Sequence, residues 1–204
     1  MSFFSKKDKI SEIFTDIPML EGGRIRLRKI LPTDADDMFE YASRPDVTEF
    51  LLWNPHESSV YTSQYLAYVQ RQYKSGQFFD WAVELKKSGK MIGTCGFVSI
   101  DRSNRKAEIG YVINPNYRGQ GYADEALGLV MRFGFDKLGL NRIETRYMVG
   151  NDASRRVMEK CGMTFEGIFR SALFVKEKYR DIGEYAILKS EFFGRSDDKI
   201  KESE

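Results

Sequence analysis

Residues 116–127, "NYRGQGYADEAL", place two glycines and an arginine directly before a helix-forming run. A glycine-rich turn that runs into a helix N-terminus points several unpaired N–H groups at one spot, where the helix dipole also favours negative charge. Gly119 and Gly121 remove side chains that would block close backbone approach, and Arg118 adds a positive charge at the rim. This is the chemistry of a phosphate or pyrophosphate cradle. The stretch lacks the Gly-Lys-Ser/Thr ending of a P-loop. Asp124 stands where a dinucleotide fingerprint needs its third glycine, and the preceding elements read as an antiparallel meander instead of a parallel unit. Arg118, Gly121 and Ala123 fit Arg/Gln-x-x-Gly-x-Gly/Ala, a pattern too short to decide anything alone.

Few other residues offer chemistry. Cys95 and Cys161 are too few for a disulfide framework, lack metal-ligand spacing and are flanked by glycine and apolar residues, so both read as small buried hydrophobes and no metal is expected. A cysteine nucleophile needs a neighbouring base, and the only histidine, His56, is remote in sequence. Arg24, Arg26 and Arg28 alternate with Ile25 and Leu27 and could hold an anionic partner, although a solvated strand face is the commoner explanation.

The elements that must position these residues follow from pattern. With 204 residues, 42% hydrophobic and 30% charged, the chain is an ordinary globular protein with one substantial core. Its net charge of +2 carries no polyanion-binding excess, and no apolar run approaches a bilayer span. A cytoplasmic location is expected, with no membrane or direct nucleic-acid partner. "GGRIRLRKI" alternates as a half-buried strand. "PTDADDMFEYASR" predicts a helix with Thr33 as N-cap and Asp36 three residues on. A second helix is predicted from about Ser59 to Lys74, with Val60, Tyr61, Tyr65, Leu66, Tyr68, Val69 and Tyr73 on a broad apolar face. Three strands follow as an antiparallel meander: "FFDWAVELK", "GKMIGTCGFVSID" and "KAEIGYVINP". The period then changes to 3.6, because Ala123, Ala126, Leu127, Val130, Met131, Gly134 and Leu138 share a stripe. A strand "NRIETRYMVG", a helix "DASRRVMEKCG" and the strands "MTFEGIFRSALFVKE" and "YRDIGEYAILK" complete the chain.

"AEIGYVINPNYRGQGYADEAL" followed by "NDASRRVMEKCGMTFEG" resembles the GNAT superfamily of acetyl-CoA-dependent N-acetyltransferases, with both segments in that family's order and spacing. The resemblance covers roughly Arg24 to Leu188. "RIRLRKILPTDADDMF", "FLLWNP" and "WAVE" are similar to the Rim-type branch, which acetylates N-terminal amines of ribosomal and other proteins. It implies an α+β GNAT fold: a mixed, mostly antiparallel sheet of about seven strands with about four helices on both faces. The expected organisation is an N-terminal extension at 1–20, one acetyltransferase domain at 21–193 and a charged, disordered tail at 194–204.

The resemblance also implies site residues. The backbone of Arg118, Gly119, Gln120, Gly121, Tyr122 and Ala123 would bind the CoA pyrophosphate. Val112 and Ile113 would pair with pantetheine like an extra strand, Asn151 would contact the cofactor arm while capping a helix, and Ser154 sits one turn further. Glu108, on the cofactor-side strand and the same face as Gly110, is the candidate to take the amine proton; the alternative is a surface pair with Arg105 or Lys106. An ordinary glutamate titrates at ~4.3, roughly 3.5 units below an α-amine and 6 below a lysine, which makes an N-terminal amine the easier acceptor. Met158 stands where many family members carry the tyrosine that protonates the leaving thiolate. Ser154 or a water is left for that role, with Tyr147 and Tyr179 as weaker candidates. Since a thiol with pKa of ~8.5 leaves tolerably as thiolate, a strong acid is not required.

The acceptor pocket would draw on Phe50, Trp53 and Tyr179. Aromatics without a carboxylate cluster suit a peptide N-terminus better than a polyamine, yet Asp46, Glu49 and Glu57 lie in the same loop. A small-amine or antibiotic acetyltransferase is the enzymatic alternative, and a non-catalytic CoA-binding regulatory domain comes next. A nucleic-acid module has only the arginine face to support it. Transfer is expected to be direct, in a ternary complex, by a monomer or homodimer.

Overall fold

A computed structural model of the chain describes residues 9–194; the charged tail expected at 194–204 lies outside the described residues beyond Gly194. The element order is α1 (Lys9–Thr15), β1 (Leu20–Glu21), β2 (Ile25–Arg28), a 3-10 turn (Pro32–Asp34), α2 (Ala35–Ala42), α3 (Pro45–Thr48), α4 (Ser59–Ser75), β3 (Asp80–Leu85), β4 (Met91–Asp101) and β5 (Lys106–Ile113). A second 3-10 turn (Pro115–Tyr117) leads into α5 (Tyr122–Asp136), followed by β6 (Arg142–Met148), α6 (Asp152–Lys160), β7 (Thr164–Val175) and β8 (Lys178–Leu188). The strands form one sheet in the order β1-β2-β3-β4-β5-β6-β8-β7. Only β5 and β6 pair parallel, joined through α5. The fold is α+β and mostly antiparallel, as expected, with the two-residue β1 as an eighth strand and α1 and α3 as unexpected helices. Helices α2 and α4 pack together, while α5 packs on β2, β4 and β5 with α6 beside it.

Two predicted details are corrected. Thr33 is exposed and caps nothing. The chain enters α2 through the 3-10 turn, where the buried Asp34 carboxylate accepts the Leu31 N–H at 2.7 Å and pairs with Arg28 at 2.7 Å. A carboxylate held by an arginine outcompetes a solvated hydroxyl for that role. On α4 the buried residues are Thr62, Leu66, Val69 and Tyr73, while Val60, Tyr61 and Tyr68 are exposed. One helix flank meets the core, so the seam is narrower than the apolar pattern suggested.

The core reaches into the segment expected to be a mere extension. Phe14 on α1 is fully buried and meets Phe79 and Trp81 edge-on at 4.7 and 5.6 Å between ring centroids. The Trp81 indole N–H donates to the Pro18 carbonyl at 2.7 Å, satisfying the one polar group of the largest buried side chain.

The feature that positions the site is a fork in the sheet. β5 and β6 pair only from Lys106 opposite Arg142 to Glu108 opposite Glu144, although β5 runs on to Ile113 and β6 to Met148. A bulge between Phe97 and Ser99 in β4 lies opposite this point. An extra residue bends its own strand and increases local twist, and β4 carries that bulge beside the point where β5 and β6 stop pairing. The Asn114 N–H donates to the Ile92 carbonyl of β4 at 2.8 Å. By strand alternation the backbone groups of Val112 face β4, while those of Tyr111 and Ile113 face the open fork.

Candidate active site

The glycine turn sits at the mouth of the fork. Gly119 and Gly121 have φ of 75° and 78°, the left-handed region open to glycine. Gly121 is the N-cap of α5 and provides no side-chain cap, so first-turn N–H groups of α5 face the cleft without a protein partner at that cap. A Cβ at Gly119 would meet nothing within 4 Å, so backbone conformation, not crowding, selects glycine there. Arg118 Nε donates to the Ile113 carbonyl at 3.1 Å, tying the turn to the end of β5.

Arg24, the residue before β2, braces the turn. Its Nη1 donates to the Gln120 carbonyl at 2.7 Å, its Nε to Glu125 at 3.0 Å, and its guanidinium lies 4.7 Å from the centroid of the Tyr122 ring. Gln120 therefore turns its carbonyl to Arg24 and does not line the cleft. Arg26 pairs with Glu84 at 2.5 Å, and Arg28 pairs with Glu84 and Asp34. The whole arginine face is engaged internally, which removes the support for a nucleic-acid module.

Two cavities flank the fork and meet. The first, about 560 Å³, is lined by Arg118, Gly119, Gly121, Tyr122 and Ala123 of the turn, Val112 and Ile113 of β5, and the start of α6. Asn151 caps α6 by accepting the Ser154 N–H at 3.2 Å. The second, about 470 Å³, lies over the sheet and is lined by Glu108, Arg146, Val98, Met148 and the hairpin residues Phe169, Leu173 and Ile182. Phe50, Tyr111, Asn151 and Ser154 line both, so a group can pass between them at this junction.

Glu108 projects into the second cavity, at the point where the fork opens. Burial raises its pKa from the ordinary glutamate value, an effect only partly countered by Arg146, whose Nη1 lies 3.5 Å away. Its partner is thus Arg146; Lys106 pairs instead with Glu144 at 3.1 Å. A raised carboxylate is a better base for an amine than an ordinary one.

Of the expected acceptor residues, only Phe50 lines this cavity. Trp53 packs on His56, with ring centroids 5.3 Å apart, and Tyr179 is 69% exposed beside Phe174 at the tip of the β7–β8 hairpin. Loop and hairpin positions depend on tertiary packing that local sequence does not encode. His56 is buried against Thr62 at 2.8 Å, and burial lowers its pKa. Neither cysteine is poised as a nucleophile: burial raises the Cys95 thiol and pushes Cys161 up to about 12.

Among the leaving-group candidates, Ser154 stands at the junction, whereas Tyr147 lines the second cavity away from it and lies tilted against Tyr185, with ring centroids 6.0 Å apart. Met158 is fully buried. Sequence reasoning missed Tyr111, whose phenol oxygen lies 2.9 Å from Ser154 Oγ. A tyrosine three residues after Glu108 on the same strand, in a chain lacking the usual helical tyrosine, was the available signal.

The arrangement suits an acyl-CoA. An unpaired strand edge can accept an extended amide-bearing arm, a backbone N–H cradle can take a pyrophosphate, and a carboxylate faces an acceptor cavity beside the junction. Comparison with known proteins agrees. Residues 24–164 match the acetyltransferase (GNAT) domain family, and the chain belongs to that family. It is an N-acetyltransferase that uses acetyl-CoA.

The chain is 32% identical over 171 residues to the uncharacterized N-acetyltransferase p20 of Bacillus licheniformis, covering 84% of this chain and 96% of that one. It is 31% identical over 100 residues to the ribosomal-protein-serine acetyltransferase of Escherichia coli K12, covering 49% and 56%. To the spermidine N(1)-acetyltransferase of Vibrio cholerae it is 28% identical over 107 residues, covering 52% and 62%. The crystal structure of a GNAT-family acetyltransferase from Bacillus anthracis superposes with a TM-score of 0.76 at 29% identity, covering 85% of this chain and all of that one. The Rim-type resemblance agrees with the ribosomal-protein relative. Among the described residues no helix is long and apolar enough to cross a membrane, and no group of acidic, histidine or cysteine side chains could hold a metal ion.

Proposed function

We propose that the acceptor is the N-terminal α-amine of a protein chain and that acetyl passes to it directly, without an acyl-enzyme. One observation carries this choice: the acceptor cavity holds a single carboxylate, Glu108, facing a cation, Arg146, within a mostly apolar lining. A polyamine carries several positive charges and needs several carboxylates to replace its hydration. A peptide start carries one amine and then an extended backbone with small or apolar side chains. Neither Glu49 nor Glu57 lines this cavity, and Asp46 lines the cofactor side, where it pairs with Arg44 at 2.9 Å.

Acetyl-CoA supplies an acyl group activated as a thioester. Tyr111 and Ile113 present backbone groups that would pair with its arm, and the amides around Gly119 to Ala123 would hold its pyrophosphate, with Arg118 at the rim. Asn151 and Phe50 close the junction. Glu108 takes the amine proton, directly or through water, as the new C–N bond forms, and its raised pKa narrows the gap to the amine.

The experiment is intact-mass analysis of a panel incubated with acetyl-CoA: peptides with free small N-terminal residues, the same peptides blocked at the N-terminus but containing lysine, and spermidine. Acetylation confined to the free α-amine is expected. Spermidine turnover equal to or above that of the free peptides would instead favour the polyamine chemistry named for the Vibrio cholerae relative.

A further inference from the structure

We propose that Arg146 binds the first carbonyl of the acceptor chain, so that Glu108 and Arg146 together recognise an α-amine with its adjoining carbonyl and discriminate against isolated amines. This deepens the α-amine reading above and rests on it. Glu108 and Arg146 are the two charged side chains that line the acceptor cavity, with Arg146 Nη1 3.5 Å from Glu108 Oε2. In an aminoacyl unit the amine nitrogen and the carbonyl oxygen are separated by Cα and the carbonyl carbon, which sets them roughly 3 Å apart. Laid along the pair, the amine meets the carboxylate while the oxygen meets the guanidinium, and both contacts fall within hydrogen-bond reach.

The sheet holds Arg146 in place for this role. Pairing between β5 and β6 ends at Glu108 opposite Glu144, and Arg146 lies two residues further along β6, on the same face and beside the open fork. On its other side it stands opposite Glu184 of β8, to which its Nε donates at 2.8 Å. Glu184 is buried, and its second oxygen lies 3.6 Å from Arg142, so the guanidinium is oriented before any acceptor arrives. A guanidinium carries five N–H donors, and among the described residues only the one on Nε makes a hydrogen bond. The Nη groups, on a side chain that is 46% exposed, remain to donate toward the cavity. Met148, Phe169 and Ile182 of the same lining have no polar side-chain group to compete for them.

A cation at this place is a handicap for an isolated amine. Spermidine or a lysine side chain arrives as an ammonium, and Arg146 repels it beside the carboxylate it must reach. An aminoacyl end brings its own compensation, because its carbonyl turns the negative end of a dipole to the guanidinium. Its amine also gives up a proton more readily, at about 8 against ~10.4 for a lysine. The transfer step itself is unchanged: Arg146 keeps all its protons, and Glu108 takes the one the amine loses.

The test compares a short peptide with a free N-terminal alanine and its isostere in which an (E)-alkene replaces the first amide, keeping the shape and the amine but not the carbonyl. For wild type and Arg146→Met, kcat/KM is taken from full pH profiles and expressed per neutral amine, which removes the difference in basicity between the two acceptors. Wild type should prefer the peptide by about 10- to 100-fold, the size of one hydrogen bond from a charged donor. In Arg146→Met the preference should collapse to within about threefold. Loss of the cation also raises the Glu108 carboxyl, but that acts on both acceptors alike and cancels in the ratio. A wild type that uses the isostere as well as the peptide overturns the proposal whether or not the variant folds, and so does a variant that loses activity toward both acceptors equally. If wild type acetylates spermidine but neither of these acceptors, the α-amine reading itself falls, and this proposal with it.

Discussion

Glu108 occupies an uncomfortable position for a carboxylate: burial disfavours its charged form, and the cation it pairs with, Arg146, is 3.5 Å away and 46% exposed. The sign of the consequence can be worked out. A carboxyl whose pKa is raised by folding stabilises the fold below its unfolded pKa and loses that contribution as pH rises through the folded value. At neutral pH, Glu108→Gln should therefore melt no lower than wild type, while turnover falls by about 10²- to 10⁴-fold for loss of a general base. The acid limb of kcat/KM in wild type should lie above the ordinary glutamate value of ~4.3 and vanish in the variant. Calorimetry with a pH-rate profile checks both. Near-normal turnover of the variant at neutral pH would remove Glu108 from the chemistry.

At the scale of elements, the turn before α5 works because two glycines take left-handed conformations and Arg24, just before β2, holds the turn in place. Valine at position 121 would be forced to φ near 78°, a region that costs an L-residue roughly 1–2 kcal/mol and is worse for a β-branched one. Gly121→Val should lose the rise in melting temperature that CoA gives wild type. Arg24→Ala separates the brace from the turn itself, because it removes the side-chain contacts to Gln120, Glu125 and the Tyr122 ring while leaving every residue of the turn in place. Its CoA Kd, read by calorimetric titration, should rise about tenfold, the size of one charge-assisted hydrogen bond. An unchanged Kd would show that the turn holds its shape without the Arg24 brace.

For the whole molecule, α1 is part of the core through Phe14. Phe14 packs edge-on against Phe79, Trp81, Phe97 and Phe133. Removing a fully buried phenylalanine costs about 3–5 kcal/mol, so Phe14→Ala should shift the urea midpoint by a corresponding amount. A loss below about 1 kcal/mol would mean that α1 is dispensable. Since Phe14 lines neither cavity, the variant should keep its affinity for CoA wherever it remains folded.

Local pattern was enough to read the strands of the meander, the helix after the glycine turn and the turn's own anion chemistry, because alternation, 3.6 periodicity and glycine conformation are written residue by residue. Asn151 and Ser154 were expected from the family resemblance and Glu108 and Gly121 from their strand and turn, and all four line the two cavities at the fork. What depended on long-range packing was not legible. Thr33 lost its capping role to Asp34 because Arg28, on another element, holds that carboxylate. Trp53 and Tyr179 were expected at the acceptor cavity, yet they pack elsewhere on a loop and a hairpin whose paths only the assembled sheet defines. Arg24 and Gln120 meet across 96 positions in sequence, and Tyr111 and Ser154 across 43. A one-dimensional pattern carries periodicity but not distance, so the Arg24 brace, the fork between β5 and β6 and the Tyr111–Ser154 contact were decided only when the sheet and helices assembled.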